Sequence, residues 1–174
     1  KAAADECFAP LTVGGGISSL DIANKCFDNG ADKIFLNTSA IENPGLITKI
    51  ANRFGSQAVM LGLDLYSKTV NTNTYDFRNE KVNSDIDWKE WVIEAVDRGI
   101  GEIRLMNVSQ EGKRTGLELN CFNELKDIVN LPIIIEGGVG SLEHLRIAFS
   151  QGVDAIAMGT FLIFSDNNIK QIKA

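Results

Sequence analysis

Residues 10–38, PLTVGGGISSLDIANKCFDNGADKIFLNT, and residues 132–160, PIIIEGGVGSLEHLRIAFSQGVDAIAMGT, align without a gap at an offset of 122. Ten positions are identical: Pro10/Pro132, Gly15/Gly137, Gly16/Gly138, Ser19/Ser141, Leu20/Leu142, Phe27/Phe149, Gly30/Gly152, Asp32/Asp154, Ile34/Ile156 and Thr38/Thr160. Each copy reads as a buried strand, a double-glycine turn, an amphipathic helix, a glycine stop, a second buried strand and a small polar end. That is a βαβ unit used twice.

Outside the repeat the same alternation continues. Apolar, β-branched runs at 11–13, 33–37, 58–64, 102–107, 132–136 and 155–159 have the unbroken hydrophobicity of parallel strands covered on both faces. Helical patterns fall between them at 19–29, 44–54, 87–98, 117–129 and 142–151. Ser18 or Ser19 can cap the first helix, and Asn43-Pro44 suits the start of the second. Residues 67–84 form an insertion with alternating polarity at 69–75 and a turn at Arg78-Asn79-Glu80, the pattern of a β-hairpin.

An offset of 122 residues spans about four βα units, so two copies imply eight strands. Six are visible in 174 residues, and a barrel of that kind typically takes ~250. Residues 1–8 resemble the closing turns of a helix rather than a beginning. The expectation is an α/β fold, a (β/α)8 TIM barrel forming one domain over residues 1–174 and lacking its first two strands. The competing reading is a six-strand open sheet.

Composition narrows the function classes. Apolar content of 44% and charge of 23% are those of an ordinary globular protein, and the net charge of −6 argues against a general nucleic-acid surface. No apolar run approaches the ~18–20 residues that span a bilayer, and no signal peptide is visible. Cys7, Cys26 and Cys121 are odd in number and lack metal-type pairing; with Cys26 on an apolar stripe, buried free thiols in a reducing cytoplasm are expected. No His/Cys/Asp/Glu cluster has metal-ligand spacing and no Ser/His/Asp set can be built, so neither a metal nor another cofactor is expected. The single histidine, His144, falls on an exterior helix, where a packing or solvated role is expected, and Trp88 and Trp91 are read as packing residues.

The glycine turns suggest anion binding. Gly14-Gly15-Gly16 and Gly137-Gly138 each follow a strand and precede a helix, which lets backbone N–H groups approach a phosphate. Asn37-Thr38 and Gly159-Thr160 end the neighbouring strands. Tight turns use paired glycines anyway, but the same turn and threonine in both copies favour two phosphate sites and a substrate with a phosphate at each end. Chemistry in (β/α)8 enzymes sits at the C-terminal strand ends, where Asp64 closes AVMLGLD as a candidate general acid/base. Its twofold partner would belong on strand one. Asn107, Glu111 and Glu136, at strand ends or in the loops after them, are candidate substrate contacts; Glu136 is equally readable as a hydrogen-bonded rim residue.

LTVGGGI, GADKIFLNTSAIENPGLI, RFGSQAVMLGLD, EWVIEAVDRGIGEI and EGGVGSLEHL together resemble the cyclase-subunit family of imidazole glycerol phosphate synthase, from about Cys7 to Phe164. The resemblance implies a lyase that takes ammonia from a partner glutaminase. It closes an imidazole ring on a bis-phosphorylated ribulosyl aminoimidazole carboxamide ribonucleotide. It implies Asp64 as one of two catalytic aspartates. Gly16, Asn37 and Thr38 would form one phosphate site, and Gly112, Gly138, Gly159 and Thr160 the other. Lys33 and Glu102 would belong to the ammonia gate on the glutaminase face, with Asp32 on the docking surface. The chain departs from the family at VSQEGKRTGLE, where Ser109 and Glu111 replace two acids. Met106 stands where a small polar residue is common, and Glu136 where a small residue, often serine, is usual. A carboxylate there would repel a phosphate. Such departures keep open a paralogue that delivers ammonia for sugar amidation in surface-polysaccharide synthesis, and a silent barrel that only activates the glutaminase.

Overall fold

The computed structural model describes residues 2–68, 71–76, 78–165 and 169–173. Lys1 of the expected opening helix and residues 69–70 and 77 of the expected hairpin lie outside them. The elements run α1 (Ala2–Glu6), β1 (Thr12–Gly14), α2 (Leu20–Asp28), β2 (Lys33–Leu36), α3 (Thr38–Glu42), α4 (Gly45–Phe54), a 3-10 turn (Ser56–Ala58) and β3 (Val59–Lys68). They continue β4 (Asn71–Asp76), β5 (Lys81–Asn83), α5 (Trp88–Arg98), β6 (Glu102–Asn107), α6 (Asn120–Ile128), β7 (Ile133–Glu136), α7 (Leu142–Ser150), β8 (Ala155–Ala157), α8 (Thr160–Ile163) and α9 (Ile169–Lys173). The sheet path is β1-β2-β3-β6-β7-β8, with the β4–β5 hairpin attached to β3. β1–β2, β2–β3 and β7–β8 are parallel, as a helix after each strand requires.

The chain forms two compact units. The first comprises Lys1–Leu63 and Trp88–Ile103. Its helices bury one stripe each: Leu46, Ile47 and Ile50 on α4, and Trp88, Trp91, Val92 and Ala95 on α5, at the three-and-four spacing of an amphipathic helix. Both tryptophans are therefore packing residues. Phe27 and Phe54 stack with centroids 4.0 Å apart. The second unit comprises Asp64–Asp87 and Arg104–Ala174. There α6 buries Cys121, Phe122 and Leu125, while Val139, Leu145 and Phe161 form a cluster with Leu117, Ile156, Met158 and Ile172.

The repeat is structural in its details. Ser19 accepts a hydrogen bond from the Ile22 N–H, and Ser141 accepts one from the His144 N–H, both at 3.3 Å. Each serine thereby satisfies a donor that the helix cannot. Asp32 Oδ2 accepts from the Leu11 N–H at 2.7 Å, and Asp154 Oδ2 from the Ile133 N–H at 2.9 Å. Each aspartate, just ahead of the second strand of its copy, ties down the beginning of the first.

Several boundaries differ from the sequence expectation. β3 does not stop at residue 64 but runs to Lys68, because its end pairs with β4 (Leu65↔Thr74, Tyr66↔Asn73, Ser67↔Thr72, Lys68↔Asn71). The helix expected from 117 begins at Asn120, since the Glu118 carboxylate accepts from the Asn120 and Cys121 N–H groups. The short helices α3, α8 and α9 and the 3-10 turn carry too few residues for a periodic signal. His144 Nδ1 accepts from the Gly140 N–H at 3.1 Å, a local structural role.

Of the three cysteines only Cys121 is buried; Cys26 is half-buried and Cys7 exposed. Burial, reinforced by the neighbouring Glu118 carboxylate, pushes the Cys121 thiol up to about 12. At pH 8 the thiolate fraction is then about one part in ten thousand. Iodoacetamide at pH 8 should label Cys7 rapidly and Cys121 only after denaturation, as read by mass spectrometry of the digested protein. Phe122, fully buried in α6, sets the packing of its unit. Phe122→Ala should cost about 3–5 kcal/mol in urea denaturation.

Candidate functional site

Strand register delivers both glycine turns to equivalent places. Gly14 pairs with Phe35 in β1–β2, so Gly16 and Asn37 each lie two residues beyond that pair. Glu136 pairs with Ala157 in β7–β8, so Gly138 and Gly159 each lie two residues beyond theirs. Thr38 and Thr160 follow as the first residues of α3 and α8. Gly15, Gly16, Gly137 and Gly138 have φ of +90°, +71°, +100° and +99°, a region that L side chains rarely adopt.

In the second unit the turn opens onto a recess lined by Glu111, Gly112, Arg114, Glu136, Gly138, Gly159 and Thr160, among others. Every residue proposed from the sequence for that phosphate site therefore meets at one place. The recess is shallow and partly open to solvent. The loop before α6 is tied to the turn where the Gly116 N–H donates to the Gly138 carbonyl at 2.8 Å, and is braced within itself where Thr115 Oγ1 donates to Gln110 Oε1 at 2.7 Å. A Cβ on Gly138 would stand 2.1 Å from the Gly116 carbonyl oxygen, so no larger residue fits. Arg114 holds φ +60°, a conformation rare for a long side chain, and adds a cation to the lining. Asn107 is not part of this lining. It is 6% exposed, its Oδ1 accepts from Ser109 N and Oγ, and its Nδ2 has no hydrogen-bond partner among the described residues.

Asp64 is 4% exposed at the point where β3 enters the second unit. Arg104 Nη1 on β6 donates to Asp64 Oδ1 at 3.0 Å, and Arg104 Nε donates to Glu136 Oε2 on β7. Arg104 Nη2 also reaches Met106 Sδ at 3.0 Å. One guanidinium thus bridges the candidate acid/base and the carboxylate at the edge of the recess. The sequence reading passed over Arg104, yet the signal was there: an arginine inside the apolar strand EIRLMN requires an acidic partner.

In the first unit Lys33 Nζ donates to Glu102 Oε2, joining the starts of β2 and β6 with side chains 30% and 14% exposed. Both candidate gate residues are therefore partners of one another. Asp32, the candidate docking residue, already has the fold-level duty of holding Leu11.

Known proteins resemble the chain over almost its whole length. Residues 1–168 match the family model described as histidine biosynthesis protein. The chain is 39% identical over 170 residues to imidazole glycerol phosphate synthase subunit HisF of Dictyoglomus turgidum, covering 98% of this chain and 68% of that protein. It is 38% identical over 170 residues to the HisF subunit of Dictyoglomus thermophilum, with the same coverage. Against the HisF subunit of Wolinella succinogenes it is 37% identical over 175 residues, covering 99% of this chain and 68% of that protein. Alternating strands and helices, matched glycine turns and these similarities converge: the chain belongs to the histidine biosynthesis protein family of (β/α)8-barrel proteins and is similar throughout to its HisF subunits.

Proposed function

We propose that the chain acts as the cyclase of imidazole glycerol phosphate synthase. It takes ammonia, closes the imidazole ring on the bis-phosphorylated ribulosyl precursor, and releases imidazole glycerol phosphate and aminoimidazole carboxamide ribonucleotide. Asp64 supplies the acid/base function. The observation that carries this reading is a buried carboxylate in the same compact unit as a glycine-lined, solvent-open recess. Burial limits water's access to the carboxylate, and backbone N–H groups at the turn attract an anion without needing side-chain charge.

Gly112, Gly138, Gly159 and Thr160 form one phosphate cradle, and Gly16, Asn37 and Thr38 form its counterpart in the first unit. The shared register makes the two cradles the same device. Asn107, Glu111 and Glu136 are the further substrate contacts, Asn107 through an Nδ2 donor without a partner among the described residues. The ammonia comes from a glutaminase subunit that docks where Lys33, Glu102 and Asp32 stand at strand starts. The Lys33–Glu102 pair is the closed form of a gate that must part for ammonia to enter. The reaction belongs to the cytoplasm, where its nucleotide substrate is made.

Ammonium salts can replace the glutaminase in an assay of the full-length protein with the bis-phosphate precursor. Asp64→Asn should lower turnover by ~10²–10⁴-fold with the substrate KM little changed. Turnover unaffected by that change would sink the assignment of Asp64. Gly138→Ala should abolish phosphate binding at the second-unit recess, because the methyl group displaces the 114–116 loop. Titration of inorganic phosphate followed by backbone amide shifts at Gly159 and Thr160 reads this directly.

A further inference from the structure

A carboxylate at position 136 is at odds with an anionic ligand in the recess it lines, since like charges repel. Arg104 resolves the conflict. Its guanidinium donates through Nε to Glu136 and through Nη1 to Asp64, and it is itself 19% exposed between them. We propose that Arg104 is a positioning residue that neutralises Glu136, and so lets the recess accept a phosphate group while holding Asp64 in place.

The inference deepens the phosphate reading above and rests on it. Glu136 without Arg104 is a bare charge on the wall of the recess. With Arg104, the wall presents a paired acid whose guanidinium is anchored at its far side by a 4%-exposed aspartate. Planar guanidinium suits this bridging, because it donates from several nitrogens in fixed directions. A lysine in its place keeps the charge and loses the fork. Arg104 stands behind the wall, and the lining itself holds a cation in Arg114.

The test uses inorganic phosphate as the probe and the amide resonances of Gly138 and Gly159 as site-specific reporters in the full-length protein. Arg104→Met should weaken phosphate binding at least about tenfold, because it leaves Glu136 unpaired. Adding Glu136→Gln to Arg104→Met should bring affinity back to within about threefold of the parent, whereas turnover stays low because Asp64 has lost its anchor. Arg104→Lys should fall between. A merely structural arginine would give no such recovery in the double variant. Should Arg104→Met not fold, Arg104→Lys carries the test: it should bind phosphate more weakly than the parent, and adding Glu136→Gln to it should restore the affinity. Unchanged affinity in the Arg104 variant used, or a double variant no better than the single, overturns the inference and leaves the phosphate reading intact. A parent protein whose Gly138 and Gly159 amides ignore phosphate overturns both.

Discussion

A carboxylate cannot be buried at little cost unless a counter-charge is buried with it, and Asp64 is almost wholly removed from solvent. That constraint organises the second unit. β3 carries the acid, β6 supplies Arg104, and β7 supplies the second acid on which the guanidinium also rests. Three neighbouring strands are thereby cross-linked by side chains at one level. Along β6, alternate residues Glu102, Arg104 and Met106 share one face, so a single strand carries both the partner of Lys33 and the partner of Asp64. The polar side of this strand is occupied by charges that all have partners, which is why its backbone can run through an apolar core.

Much of the fold was legible because the evidence for it is periodic or repeated. β6 was placed to the residue, and the helices of the repeat to within one residue at each end. Failures came where long-range pairing overrides local pattern. Nothing in VMLGLDLYSK says that the strand continues past Asp64, because its last four residues owe their extended form to partners on β4. Glu118 shortened α6 by taking the N–H groups that a longer helix would have used internally. Residues 38–42 and 160–163 are single helical turns, too brief to announce themselves.

The site was legible in type and less so in wiring. Gly112, Gly138, Gly159 and Thr160 were read as one cluster and do meet around one recess. Glu136 looked like a liability, because single-residue reasoning sees its charge and not the guanidinium on the neighbouring strand. The identity of Asp32 and Asp154 was visible in the alignment, but its cause was not. Both aspartates serve the backbone of a preceding strand, a fact that only the hydrogen-bond partners reveal. Identity between copies therefore mixes two causes: Ser19/Ser141 and Asp32/Asp154 answer to folding through side-chain hydrogen bonds, while the glycine turns answer to a backbone conformation that L side chains rarely adopt.

The paired aspartate ties have a consequence for how such a chain can arise. Each closes a segment of 21 residues between strand start and strand start, entirely within its own copy. The instruction that sets strand register thus travels with the segment rather than residing in its neighbours. A stretch of coding sequence carrying its own alignment pins can be copied, moved and diverged in its outward chemistry without first rebuilding the frame that receives it.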